Sequence, residues 1–351
     1  TGEPEPEGVK VPILGWGTHV MASVNKEVVA TAADKLNTPR DVMIDPDKPG
    51  DIWIANHGNE TMVVVYNSLS AAQSVKAYWS LGSAHFFARP SAIAWGTTAT
   101  FATMHETDQL TQGASPPGTP EDFMGPTLQS ADPGTFDAGH GSHLDMLHNS
   151  PNGMGIAWER DNVYWTFDGY HSSITRYDFK ADHGKGGQFH GDGDIARYAE
   201  GDVKRVAGIP SHMEMDRETG LLYIADTGNN RIAVLDTATG TKGGGTQPVY
   251  DGPNQYKMNG ANIYTLIDGA AEGLQSPSGL AIAGDQIFVG DNGTGIIYAF
   301  DMAGKKLDWL ETGIAPGGLM GIEIDQAGNL VLANAADNEV WYLLPRSPNE
   351  I

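Results

Sequence analysis

Apolar and polar residues alternate along this chain in short runs. The stretch GIPSHMEMDRETGLLYIADTGNNRIAVLD (208–236) sets one run after Pro210, a turn at Glu218–Gly220, a second run over LLYIAD, and a third after the polar DTGNN. Period-two alternation broken by Gly, Asp and Asn predicts half-buried strands joined by tight turns. No window carries the longer apolar period of an amphipathic helix.

The pattern recurs. Inner runs are TPRDVMID (from Thr38), RPSAIAWG (from Arg89), SPNGMGIAW (from Ser150), IPSHMEMD (from Ile209), SPSGLAIA (from Ser276) and GLMGIEID (from Gly318). Each is followed by a second run: DIWIANHGNE, TFATMHETD, NVYWTFDGYH, LLYIADTGNN, QIFVGDNGTG and NLVLANAADN. Third runs are clearest as ITRYDF, RIAVLD, IIYAFD and VWYLLP. From Pro39, Pro90, Pro151, Pro210, Pro277 and Leu319 the spacings are 51, 61, 59, 67 and 42 residues, a unit of the shortest length with insertions. A repeat of this size with three or four strands predicts an all-β, six-bladed β-propeller. Small residues in the first run (Gly153, Gly155, Ala157; Gly279, Ala281) suit the crowded strand nearest the axis. The last unit stops at Pro345 after three strands, so an N-terminal strand is expected to close the last blade, with VKVPILGW (9–16) in that role. The expected organisation is an acidic, disordered leader (1–8), one propeller domain (9–345) with an insertion at 107–139 near the mouth, and a tail (346–351).

Composition narrows the chemistry. With 40% hydrophobic residues in 351, the chain can bury a large core, and 45 Gly with 20 Pro suit many turns. Its net charge of −23 repels phosphate backbones and anionic lipid, so nucleic acid is excluded as a partner, and no apolar run is long enough for membrane insertion. The absence of cysteine removes disulfides, thiolate metal sites and cysteine nucleophiles. An acidic, cysteine-free, Gly-rich β chain is expected to be periplasmic or secreted.

In an antiparallel meander, the inner-strand start, the loop between the second and third strands, and the connector to the next blade share one face. His57, His105 and His171 follow second runs; His212 starts the inner strand of blade four; His85, His140, His143 and His148 fall in connectors. By the same rule His183 and His190 belong to the other face. GHGSHLDMLHNSPNGMG (139–155) concentrates three histidines with Asp145, Met146 and Met154. Imidazoles around a propeller mouth offer neutral nitrogen ligands for Zn, Cu or Fe, so His57, His105, His143, His148, His171 and His212 are the candidate metal ligands. DPDKPGD (45–51) and HGDGDIARY (190–198) carry carboxylates at the spacing of Ca²⁺ loops.

LYIADTGNNRIAVLD (222–236) resembles an NHL repeat, and all six units over 38–345 follow its pattern, which implies a propeller of NHL type. VYWTFDGYHSSITRYDF (163–179) is similar to the tyrosine-bearing segment of the peptidyl-α-hydroxyglycine α-amidating lyase family. That resemblance implies Tyr170 as a base beside a histidine-bound zinc. The zinc histidines of that family directly follow Pro at inner-strand starts, where this chain has Ser91, Ser211 and Ser278, with His212 one residue late. Near the family's arginine position stands His57, with Arg40 the only nearby basic residue. The resemblance therefore implies a metal site on this face and not the amidating reaction. The function expected is metal-assisted lyase or hydrolase chemistry on a small-molecule substrate, with Tyr170, Asp168, Asp145 and Arg40 as the catalytic candidates. The alternative is a non-catalytic module binding a protein partner, peptide or metal on the same face.

Overall fold

The computed structural model describes Leu14 and residues 17–79, 84–97, 99–108, 123–136, 143–187 and 189–346, with the backbone alone at 84 and 85. Six sheets, each with one of the predicted inner runs as its innermost strand and antiparallel through its first four strands, form the six blades of a β-propeller. The inner strands are Pro39–Ile44, Pro90–Trp95, Gly155–Arg160, Met213–Asp216, Pro277–Ala283 and Leu319–Ile324. One apolar cluster fills each interface between neighbouring blades, from Trp53, Ile93 and Phe101 between blades one and two to Val42, Val63 and Val331 between blades six and one. Burial is thus shared around a closed ring rather than gathered in one central core. The axis is crowded as expected. A Cβ on Gly155 would lie 1.9 Å from the Ser211 carbonyl oxygen, and one on Gly279 2.6 Å from that of Met320, so side chains there would push neighbouring inner strands apart. No described helix is long and apolar enough to cross a membrane.

An N-terminal strand closes blade six, but it is Val24–Ala30 and not 9–16. It pairs antiparallel with Glu339–Pro345, from Val24 opposite Pro345 to Ala30 opposite Val340. An outermost strand buries one end and one edge only. VNKEVVA has exposed residues at Asn25–Val28 and buries Val24, Val29 and Ala30, so it lacks the alternation that marked the other strands. Of 9–16, Leu14 is buried in the cluster between blades five and six, and the rest lie outside the described residues, as does the leader 1–8.

Two insertions depart from the four-stranded plan. Thr127–Ser130, inside the expected 107–139 insertion, is the third strand of blade two, which leaves a shorter excursion whose 109–122 lies outside the described residues. In blade four, a hairpin of Thr241–Gly245 and Asn254–Asn259 leaves its own sheet. Its second strand pairs parallel with Asp194–Tyr198, the outer strand of blade three, making that sheet six-stranded.

Closure by Val24–Ala30 predicts that Val29→Ala, which removes two buried methyl groups, lowers stability by about 2 kcal/mol in urea unfolding. Lys26→Ala removes an exposed cation 3.9 Å from the Trp341 ring centre and should cost no more than about 1 kcal/mol. Equal effects would contradict this pairing.

Candidate metal centre

The outer strand of blade two, His143–Met146, carries alternating side chains, and it continues through Leu147 into His148. Against it packs the loop between the third and outer strands of blade three, ADHGKGGQFHGDGD (181–194). Its glycines make the approach possible. A Cβ on Gly187 would lie 2.8 Å from the His183 Cβ and 2.9 Å from the Leu144 carbonyl oxygen, and one on Gly193 2.6 Å from a Leu147 methyl. The Gly186 amide donates to the His143 carbonyl at 2.9 Å.

This contact gathers histidines that the meander rule set on opposite faces. His190 Nδ1 makes a short hydrogen bond to Asp145 Oδ1, and its ring centre lies 5.9 Å from that of His143 and 6.0 Å from that of His148. His183 Nε2 lies 3.0 Å from Asp192 Oδ1 and 4.0 Å from Asp145 Oδ2. Asp145, His183 and Asp192 each present one ligand atom within 4.8 Å of the others. The expected opposition failed because the site is built at the rim, where the edge of one blade meets a loop of the next.

Asp145 is fully buried and its Oδ2 has no hydrogen-bond partner. Burial pushes its carboxyl up, while the His190 hydrogen bond and charge pull it down. His148 is buried against Phe123, ring centres 4.1 Å apart, and its Nε2 lies 2.9 Å from Asp251 Oδ2. The remaining nitrogen, Nδ1, is buried without a hydrogen-bond partner. A carboxylate holding one nitrogen while the other stays open is the usual preparation of a histidine ligand. Asp251 comes from the blade-four hairpin, and the His148 hydrogen bond leads the causes that hold its carboxyl below the usual range. His183, Asp192 and Asp251 retain partial exposure, so the centre opens to solvent on that side.

The other candidates lie elsewhere. His105 has both nitrogens engaged within blade two, Nδ1 at 2.9 Å from the Ala88 carbonyl and Nε2 at 3.0 Å from Thr103 Oγ1, leaving no lone pair for a metal. His212 lies against Asp41 and Arg40, with Nδ1 3.3 Å from Asp41 Oδ2 and Nε2 3.2 Å from the Arg40 carbonyl, and is likewise occupied. Burial, reinforced by the Arg40 cation, pulls His57 down to about 4, so its ring is neutral at pH 7. Arg40 itself is buried, bonded through Nη1 to the Gly208 carbonyl, with Nη2 3.7 Å from Glu106. His171 Nδ1 meets Asp168 Oδ2 at 2.7 Å, and Tyr170 is 41% exposed with its ring 4.8 Å from His171. Asp168 nonetheless connects inward. Ser150 donates to it at 3.1 Å, and the Tyr177 hydroxyl lies 2.6 Å from Ser150 Oγ and 2.8 Å from the His148 carbonyl.

The structure therefore brings together Asp145, His143 and His148 of the expected set, and leaves His57, His105, His171 and His212 apart from them. His140 lies outside the described residues. His183, His190, Asp192 and Asp251 were missed as members of this cluster. The first three sit in a Gly-rich loop whose HGDGD portion suggested calcium; Asp251 carries no local signal. In DPDKPGD, Asp45 Oδ1 accepts from the Asp47 and Lys48 amides and Asp51 from that of Asn67, which accounts for these acids as turn residues.

No known protein family matches the chain, and no curated protein matches it. Solved structures do match. Virginiamycin B lyase from Staphylococcus aureus is 12% identical with a TM-score of 0.53, covering 92% of this chain and 100% of that one. Regucalcin from Agrobacterium tumefaciens, described as a calcium-binding protein, is 13% identical with a TM-score of 0.53, covering 92% and 96%. An auxiliary nutrient binding protein from Bacteroides ovatus is 12% identical with a TM-score of 0.57, covering 97% and 76%. At these identities the likeness establishes the propeller fold.

Gly187→Ala should force the loop away from blade two. We expect a lower melting temperature, with a cost on the order of 1–3 kcal/mol, and weaker metal binding in the same variant. Gly184→Ala, at a position with open space but positive φ, should cost stability without weakening metal binding.

Proposed function

We propose that this chain is a metal-binding propeller that holds one divalent transition-metal ion between blades two and three and uses it in lyase or hydrolase chemistry on a small organic molecule. The observation that carries this reading is that Asp145, His183 and Asp192 each present a ligand atom within 4.8 Å of the others, with His190, bonded to Asp145, 6.0 Å ring to ring from buried His148. Mixed imidazole and carboxylate donors suit Zn, Cu or Fe better than Ca, which prefers oxygen alone. Bound there, such an ion would polarise a substrate oxygen or lower the pKa of a water. The chain's own residues fix the donors: Asp251 orients His148, His190 holds Asp145, and the buried Ser150–Tyr177 pair anchors the His148 backbone. The partial exposure of His183, Asp192 and Asp251 leaves that side of the cluster open to solvent. A periplasmic or secreted location fits the acidic, cysteine-free composition.

Elemental analysis after supply of Zn²⁺, Cu²⁺ and Fe²⁺ should find one equivalent of metal. His183→Ala and Asp145→Asn should each lower occupancy at least tenfold, while His105→Ala and His171→Ala retain it. Occupancy should fall in acid, because protons compete with the metal for the imidazole and carboxylate donors. Free metal at a hundred times its Kd should add about 2.7 kcal/mol of stability. A metal-free protein under these conditions would sink the reading. Metal binding without chelator-sensitive turnover in a screen of small esters, lactones and hydroxy acids would replace the enzyme with a binding module.

A further inference from the structure

The inner strands of blades one, four and six send Asp41, Glu214 and Glu323 into the axial channel, where a cavity of about 210 Å³ is lined by them together with His212 and Arg217. A single water needs roughly 10–15 Å³ of such space, so the cavity accommodates a group of several heavy atoms. It shares Trp95, Trp158, Arg217 and Glu323 with a wider cavity of about 570 Å³ on the face of the inner-strand ends, where Asp45, Asp47 and Asp325 add three more acids. Six acidic residues and two basic ones thus line these two cavities, which share part of their walls. The shared part has indole walls, and one already carries a cation: the Arg217 guanidinium lies 4.4 Å from the Trp158 ring centre.

The carboxyls of the well are costly to the fold. Burial raises Glu323 to about 7, with the Ile324 amide hydrogen bond opposing it, Asp41 adding to the effect and His212 opposing it. Burial, then the charges of Glu323 and Asp41, raise Glu214 well above the usual carboxylate range, against Arg217. A guest of positive charge would relieve this repulsion. The donor spacing disfavours a bare metal ion, because among the described residues the group of three ligand atoms within 4.8 Å is the rim cluster and not the channel acids.

We propose that the axial channel binds an organic ammonium ion, entering between Trp95 and Trp158 and placing its charged nitrogen against Glu323 and Glu214. The site is separate in its residues from the metal centre, and its test is independent of that reading. The aromatic walls cover the alkyl portion, and the carboxylates take the ammonium hydrogens.

Calorimetric titration of the full chain with butane-1,4-diammonium at pH 8 should show one equivalent bound. Glu323→Gln should weaken binding at least tenfold, and Arg217→Ala, which removes the resident cation and bares Trp158, should strengthen it severalfold. A merely structural role for these residues would not produce that gain. Fold integrity has its own readout. Because both carboxyls hold protons more tightly folded than unfolded, their ionisation weighs on the fold as pH rises from about 4.5 through about 7. Glu323→Gln should therefore melt higher than the parent at pH 8 and like it at pH 4. No heat with the diamine, binding indifferent to Glu323→Gln, or Ca²⁺ occupying the well in the diamine's place would each overturn the proposal.

Discussion

The pairing of Val24–Ala30 with Glu339–Pro345 carries more of this architecture than any other single contact. Each blade buries its faces only against two neighbours, and six apolar clusters divide the core among six interfaces. A ring of this kind gains its last interface only if its ends are held together. Without the N-terminal strand, the Glu339–Pro345 edge would stand open in the one blade the C-terminal repeat leaves incomplete, a ready template for another chain. Closure also bears on the axis, since Glu323 belongs to the blade that Val24–Ala30 completes and lines one cavity with Asp41 of blade one.

The Asp145–His183–Asp192 cluster, the proposed metal centre, depends on a different kind of contact. A propeller's repeats are equivalent in backbone, so a site must come from what is added to them. Here blade three adds a glycine-rich loop that presses on the neighbouring blade, and blade four adds a hairpin that crosses to blade three and delivers Asp251 to His148. The two additions converge on one flank of the ring. His183, Asp192 and Asp251 stay partly exposed there, while Asp145 and His148 beneath them are buried, so the centre grades from a rigid base to an accessible rim. The axial well is the opposite case. Its deeper acids, Asp41, Glu214 and Glu323, come from the inner strands of three of the repeats, where neighbouring units approach closely at the axis.

Much of this was legible in the residues. Period-two runs and their spacing specify six sheets, because alternation is a local consequence of backbone geometry and each repeat restates it. Small residues at Gly155 and Gly279 report the crowded axis, since the absence of a side chain is itself a packing statement. The concentration of His143, Asp145 and His148 in one connector points to the half of the centre that is local in sequence. The closing strand was misplaced because an outermost strand with one buried edge needs no regular alternation, and Asn25–Glu27 look like any polar loop.

The sequence by itself determined the number of blades, their inner strands and the acidic, cysteine-free chemistry, all of which follow from composition or from residues a few positions apart. Tertiary structure alone decided which histidines meet. His105 and His212 look as suitable as His148, yet Thr103 and Ala88 occupy one and Asp41 and Arg40 the other. His183 and His190 reach the centre, and Asp251 joins it from 103 residues beyond His148. Ligand convergence depends on distances between separate elements, and no periodicity along one strand encodes the gap between two blades.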